Sequence, residues 1–521
     1  MADSNPEQMM AKVDIVKRRR AEIELMGGEA RVEAQHKAGR LTARERMELF
    51  FDPGTFIEID AFARCTGRDF GMDKVNPAAD GVITGYGQVS GRVVAAFAQD
   101  FTCIGGTMGE MHGKKIAKIT EMAGDWGVPC IGFHESGGAR LQEFLAVSRE
   151  YGNLFYLNSI YSGVIPQISA MCGVVAGGQT YSPGLTDFVF MTRNGAAFIA
   201  GPALVQAVVG EEIGVDDLGG TKLHSTVSGV CHVVAEDDND CVEKIKDLLS
   251  YLPSNNREKP PRIKSEDSPD RTNEKLYQIV PASSTTPYDM HKVIYEITDG
   301  GRFFEIHKGY ARSMVIGMAR FDGQSVGIVA NNPSVQAGAI TTKAAEKAAR
   351  FIRFCDAFSI PIVYLVATPA YLIGSEMERE GMIFRGATLL YATSEATVPQ
   401  ITINIGWAYA GAFIAMGSKY LKSDVVYAWP TAEIGLVAAE GVVNVVFRKE
   451  IAQVEDKEAE RKKREEEFRN TFMDIMYPAS YQHVDDIIDP KDTRRRIVQS
   501  LKVLEKKKVE LPWKKHGNTP L

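Results

Sequence analysis

Short runs rich in β-branched and aromatic residues recur along the chain: VVAAFAQ, CIGFHE and IPQISAM in the first half, VGIVANN, IVYLVAT and PQITINI in the second. Nearly continuous apolar character of this kind marks strands covered on both faces. Between them lie GKKIAKITEMAGDWG and AAEKAARFIRFCDAF, where apolar positions return every three or four residues, as on the buried stripe of a helix. The alternation predicts an α/β fold of layered β-α units whose loops gather functional groups at one edge of a sheet. Two stretches without formal charge, residues 151–186 and 396–418, are long enough to cross a bilayer. Each is interrupted by Pro, Gly, Gln, Asn or Ser, which predicts a buried strand, a glycine turn and a helix start instead.

The two charge-free stretches also resemble each other. GRVVAAFAQD at Gly91 aligns with GQSVGIVANN at Gly323, and GVPCIGFHESGGARL at Gly127 with SIPIVYLVATPAYLI at Ser359, both at an offset of about 232 residues. VIPQISAMCGVVAGGQTYS at Val164 meets TVPQITINIGWAYAGAFIA one residue further on, and DPGTFIEI pairs loosely with GGRFFEI. A shared offset over this length predicts an internal duplication, with one fold used twice. The polar, proline-rich segment PSNNREKPPRIKSEDSPDRTNEK separates the copies. We therefore expect an N-terminal domain over residues 1–255, a linker over 256–275 and a C-terminal domain over 276–521. The mixed-charge run at 449–468 and VKRRRAEIEL near the N-terminus both predict solvated surface helices.

Composition narrows the partners. With 60 basic against 67 acidic residues, the net charge of −7 argues against a protein built to neutralise nucleic-acid phosphates. The seven cysteines are isolated, with no C-x-x-C pair, and are expected as buried small apolar groups in a reducing compartment. No metal ligand set is legible. The N-terminus shows no apolar signal core and no transit peptide, so the expected location is cytoplasmic, or the mitochondrial matrix in a eukaryote.

Candidate chemistry lies in three glycine-rich turns that follow apolar strands: SGGAR (Ser136, Gly137, Gly138, Ala139, Arg140), AGGQ (Gly177, Gly178) and YAGAF (Ala410, Gly411, Ala412). We read each as a loop leading into a helix, where the first backbone N–H groups lack an intrahelical partner and can bind an anion. There is no G-x-S-x-G, H-E-x-x-H, G-x-x-x-x-G-K-[ST] or G-x-G-x-x-G. His134, His224 and His232 are candidate side-chain players, though lone histidines in strands and turns are commonly hydrogen-bonded structural residues. What remains is a pair of backbone oxyanion holes, suited to a thioester enolate.

The residues carry a resemblance. GRLTARERMELFFDPGTF, AQDFTCIGGTMGEMHGKKI, SGGARLQE, SGVIPQISAMCGVVAGGQTYSPGLTDFVFM, DDLGGTKLHSTVSGVCH, SVGIVANNPSVQAG, YAWPTAEI and VDDIIDPKDTRRRI occur in order and at matching spacing. In this the chain resembles the carboxyltransferase subunits of biotin-dependent acyl-CoA carboxylases, together with methylmalonyl-CoA decarboxylase α and the large transcarboxylase subunit. The resemblance implies two tandem crotonase-like domains of the ClpP/crotonase superfamily. It also implies a homohexamer, a trimer of dimers, with sites where one subunit's N-domain meets another's C-domain.

By the same resemblance, Gly177 and Gly178 hold the acyl-CoA carbonyl as it becomes an enolate, on the acyl-CoA side, while Gly411 and Ala412 hold the ureido oxygen of biotin. Ser136, Gly137, Gly138 and Ala139 are expected to support coenzyme A, and Ala410 and Ile414 to flank biotin. Biotin sits on a separate carrier, because the A-M-K-M segment is absent here. A biotin carboxylase subunit or a decarboxylase membrane complex is the further partner. The chain departs from the family pattern at Gln179, Ala367, Ala370, Gly406, Trp407, Ala410 and Ile414. Three readings stay open: carboxyl transfer between biotin and an acyl-CoA, biotin-dependent decarboxylation of a carboxyacyl-CoA, and a CoA-binding hexameric scaffold without biotin chemistry.

Overall fold

Val, Ile, Phe and Ala dominate the strand segments, and their side chains are buried on both faces because helices cover the sheets. In the computed structural model of the chain the described residues are 6–75, 77–283 and 286–520. They divide into two units, Met1–Arg257 and Glu258–Leu521. Most of the proline-rich segment is no free spacer: it packs on the second unit, where Ile263 N–H donates to Gly323 O, Asn273 N–H to Lys491 O, and Arg271 reaches Glu296 O.

The first unit builds one sheet from β1 (Ile57–Ile59), β2 (Val82–Val89), β3 (Arg92–Gln99), β4 (Cys130–Ser136), β5 (Gln167–Ala176), β6 (Phe188–Thr192), β7 (Ala196–Phe198) and β8 (Val233–Ala235). The order is β1-β2-β3-β4-β5-β6-β8, with β7 paired to the end of β5. The first three strands are antiparallel, and the rest run parallel through helical crossovers. The second unit repeats this with β9 (Phe303–Ile306), β10 (Met314–Phe321), β11 (Gln324–Asn331), β12 (Ile362–Thr368), β13 (Gln400–Tyr409), β14 (Val425–Ala428), β15 (Glu433–Gly435) and β16 (Asp486–Ile487). The expected duplication is thus a duplication of topology, strand for strand.

The copies share backbone strain as well. Ala79 and Ala311 have φ of 46° and 44°, Ser90 and Asp322 51° and 52°, and Gly127 and Ser359 67° and 58°. Left-handed backbone costs a non-glycine residue roughly 1–2 kcal/mol, so its recurrence at matched positions is a property of the turns themselves. A buried lysine recurs at the same offset. Lys115 Nζ donates to Ala79 O (2.9 Å) and Val82 O (2.5 Å). Lys347 Nζ donates to His307 O (3.0 Å), Tyr310 O (2.8 Å) and Met314 O (2.6 Å). Each fastens the loop entering the second strand of its sheet, and burial lowers Lys115 to about 8 and Lys347 to about 7.

Ile116, Ile119 and Ala123 of the Glu110–Trp126 helix pack with Val82, Ala95 and Phe97 in the first core. In the second, Val293 and Ile297 of the Met290–Ile297 helix and Ile497 and Leu501 of the Thr493–Leu504 helix join Val363, Ile401 and Ile403. Each of the Val, Ile, Leu and Phe side chains among these contributes about 1.5–3 kcal/mol on burial. The charged run forms the helices Arg448–Ala452 and Lys457–Phe468, and all seven cysteines are buried and unpaired. Residues 151–186 resolve into a helix end, β5, a glycine turn and the Tyr181–Leu185 helix; no helix among the described residues is long and apolar enough to cross a membrane.

Candidate active site

β5 is shared between two neighbours. Its first half pairs with β6 through Ile168–Met171, and its end turns to pair with β7 through Val174–Ala176. β4 follows the bend, with a register break between His134 and Ser136. Gly173 permits it, since a Cβ there would lie 2.5 Å from a Glu135 carboxylate oxygen. The bend brings the SGGAR loop against the AGGQ turn: a Cβ on Gly138 would meet Ala176 O at 3.0 Å and Gly177 N at 3.9 Å. Two sequence-predicted elements from different crossovers are therefore in contact.

The SGGAR loop does not lead straight into a helix, contrary to expectation. The helix begins at Leu145, after a short turn at Leu141–Glu143. The reason is local hydrogen bonding. Gly137 N–H donates to Gly105 O at 2.9 Å, Gly138 N–H to Ser136 Oγ at 3.1 Å, and Arg140 N–H to Met108 O at 2.9 Å, so these amides are already used. Arg140 is buried and pulled back, its Nη1 on Asp80 Oδ1 (2.5 Å) and Glu143 Oε1 (2.8 Å). That guanidinium also accounts for the convergence of Cys65, Asp80 and Glu143 within 4.8 Å. The loop is a rigid wall beside the AGGQ turn.

In the turn itself, Gly177 has φ of 67°, and the helical turn Gly177–Thr180 starts there, so its first amides have no partner within it. Thr180 Oγ1 donates to Gly177 O at 2.8 Å and pins the loop. Gln179 is wholly buried, with Nε2 3.4 Å from His134 Nδ1, and His134 Nε2 lies 3.1 Å from Ser169 Oγ. Burial holds His134 down at about 3, so it is a neutral structural residue and no general base at neutral pH. His224 and His232 are likewise tied to backbone, at Ala197 O and Val189 N–H.

His134 carries a pH prediction. Its folded value of about 3 lies below the ordinary value near 6.5, so the unfolded chain binds the extra proton and stability falls as pH drops through that window. Between pH 7 and 5 this one group removes about 2 kcal/mol. A His134→Gln variant should lose correspondingly less over the same interval in urea unfolding. Parallel pH dependences for the two proteins would refute it.

The second unit repeats the turn at the end of β13. Tyr409 (φ −115°, ψ 151°) matches Ala176 (φ −122°, ψ 155°), and Ala410, with φ of 52°, occupies the place of Gly177. A methyl group is therefore carried on left-handed backbone. Gly411 matches Gly178, so the pair Gly411 and Ala412 is staggered by one position from Gly177 and Gly178. Trp407 stacks on Tyr409, and both Trp407 and Ala410 pack against the cluster of Tyr409, Ala439 and Met473. Gly411 and Ile414, half-buried, line a cavity of about 420 Å³ walled by Tyr420, Phe468, Phe472 and Met473.

Sequence reading missed the aromatic rings that cover both turns. Tyr151, from the Leu145–Ile160 helix, lies 3.2 Å from where a Gly178 Cβ would sit. Over Gly411 the ring is Tyr371, from the loop after β12, and Gly386 vacates the helix position it crosses. Its hydroxyl donates to Gly386 O at 3.1 Å. Lys115 and Lys347 were detectable in principle, since the repeat offset superposes them.

A carboxyl transferase domain model matches residues 34–519. The chain is 46% identical to methylmalonyl-CoA decarboxylase subunit alpha of Propionigenium modestum, covering 98% of this chain and 99% of that one. It is also 46% identical to the propionyl-CoA carboxylase carboxyltransferase subunit of Haloferax mediterranei, over 98% of this chain and all of the other. A solved structure of transcarboxylase 12S, described as a hexamer with methylmalonyl-coenzyme A and methylmalonic acid bound, superposes with a TM-score of 0.96 at 45% identity over 98% of both chains.

Proposed function

The chain belongs to the carboxyl transferase family, and from that premise we propose that it moves CO2 between biotin on a separate carrier and the α carbon of an acyl-CoA. The observation that carries the reading is the repeated strand-to-turn junction, Ala176–Gly178 in one unit and Tyr409–Gly411 in the other, each presenting the first amides of a helical turn. Gly177 and Gly178 hold the thioester oxygen, whose charge grows as the α proton leaves, and fixed amides stabilise that charge without reorganising. The rigid SGGAR wall keeps the turn in place.

The second turn suits biotin. The cavity at Gly411 and Ile414 has apolar walls for a bicyclic thioether, and Ala410 and Gly411, which open the Ala410–Ala415 helix, line it and would offer first-turn amides to a carbonyl oxygen. When bound, biotin supplies the CO2 and the proton acceptor. The first-turn amides of Gly411 and Ala412 in the Ala410–Ala415 helix would orient it, and Phe468, Phe472 and Met473 line the apolar side of the cavity. The neutral His134 fits a site that needs no side-chain base.

Decarboxylation of a carboxyacyl-CoA uses the same holes in reverse, and relatives with either activity in their names stand at 46% identity. A biotin carboxylase subunit or a decarboxylase complex would then set the direction. A homohexamer, as in the transcarboxylase core, is the assembly we propose, and the exposed Phe70, Leu141, Phe144 and Leu145 offer apolar surface for association. The test is an assay of the purified chain with free biotin and a panel of acyl-CoA and carboxyacyl-CoA esters. Biotin-dependent CO2 exchange is the expected result. Tight CoA binding with no exchange on any ester would leave the scaffold reading.

A further inference from the structure

Buried and half-buried phenols such as Tyr364, Tyr371 and Tyr409 are hydrogen-bonded, to Gln400, Gly386 O and Glu433. Tyr151 is different. It is 9% exposed, its hydroxyl oxygen is shielded from solvent, and among the described residues that oxygen has no hydrogen-bond partner. Tyr288 shares this state but borders Gly406, away from a glycine turn. A buried hydroxyl without a partner costs stability, and such a group is kept where something absent from the free protein completes it.

The ring's position says what that is. Tyr151 packs with Met108 and Val147, against Ala139 of the SGGAR wall, and stacks on Phe155 at 5.9 Å. The atoms nearest the open side of Gly178 are Cε2, Cζ and Cδ2, at 3.2, 3.3 and 3.4 Å, so the ring lies edge-on along the turn and the carbon that carries the hydroxyl is part of that edge. Burial raises the phenol's pKa, which keeps it protonated and able to donate across the neutral range.

We propose that the Tyr151 hydroxyl is a third donor of the first hole, given to the thioester oxygen of the bound acyl-CoA alongside the amides of Gly177 and Gly178. This rests on the reading of that turn as the acyl-CoA site. A donor aimed at the oxygen strengthens as negative charge develops there, so it acts on turnover more than on ground-state binding. Phenylalanine keeps the ring and its packing and removes only the oxygen.

The full-length Tyr151→Phe variant should melt at or above the wild-type temperature, because it sheds an unpartnered group. Its kcat for biotin-dependent exchange should fall about tenfold or more, with KM rising no more than severalfold. In parallel, binding of propionyl-CoA is compared with that of S-propyl-CoA, a thioether without the carbonyl. The wild type's preference for the thioester should shrink severalfold in the variant. A variant with wild-type kcat, or with an unchanged thioester preference, overturns the assignment. Inactivity of the wild type in the exchange assay would count against the proposed function, and the binding comparison would still decide the role of Tyr151. A wild-type chain carrying 3-fluorotyrosine at this position gives an independent readout: its fluorine resonance should move with the thioester and stay with the thioether.

Discussion

Replacing Gly178 by proline is expected to lower biotin-dependent carboxyl transfer by about a hundredfold to a thousandfold while leaving a folded chain. Proline has no N–H, so the substitution deletes one backbone donor and nothing else from the charge-stabilising set. The position can take it: Gly178 is outside the left-handed region, and proline is well tolerated in the first turn of a helix. Sterics must be separated from chemistry, because any Cβ here approaches the Tyr151 ring at 3.2–3.4 Å. Gly178→Ala supplies that control, keeping the N–H while making the same contact. The assignment requires the alanine variant to retain far more activity than the proline one. Equal losses would mean that the contact with Tyr151, and not the amide, was being measured. A fully active, folded Gly178→Pro protein would remove the first hole from the mechanism.

Gly178 could be picked out from the sequence because the strand-to-glycine junction at Ala176–Gly178 recurs at Tyr409–Gly411, whereas a single Gly-Gly turn after a strand is commonly a matter of tight packing alone. The strands and the duplication were legible for the same reason: residues such as Val94–Ala98 and Val326–Ala330 are apolar without alternation, which only a doubly covered sheet satisfies. The SGGAR loop was read less well. Its composition suggests free amides at a helix start, but Gly137 and Gly138 spend theirs on Gly105 O and Ser136 Oγ, a consequence of β4 bending over the loop before the Glu110–Trp126 helix. Ala410 shows a second limit. No composition rule places alanine at a φ of 52°, and only the match with Gly177 explains it. Tyr151 lay beyond reach altogether, since a tyrosine on a largely apolar helix looks like ordinary core until the turn it covers is folded against it.

Arg46→Met should destabilise the protein by about 3–5 kcal/mol, seen as a large drop in the urea midpoint. Arg46 is completely buried, with Nη2 on Glu135 at 2.8 Å and Nε on Asp238 at 3.0 Å. Methionine preserves much of the volume but leaves two carboxylates in the interior. Asp238 would retain the Leu41 N–H at 2.7 Å, and Glu135 would retain Arg40 at 2.9 Å and Gln35 at 2.8 Å, so the loss stops short of abolishing the fold. The consequence reaches the active site through the chain: Glu135 is the residue before Ser136, and its carbonyl lies where a Gly106 Cβ would clash at 2.1 Å, so the SGGAR wall is seated on this ion cluster. The pH dependence identifies the cause. Burial already raises Glu135 above its ordinary carboxylate value, and removing the guanidinium takes away a charge that opposes this, so folding of the variant takes up protons more strongly and its deficit shrinks as pH falls from 8 to 5. A deficit independent of pH would point to lost packing at position 46. An unchanged midpoint would mean that Glu135 and Asp238 reach water without their arginine, and that the wall beside Gly177 is held by the loop's own hydrogen bonds.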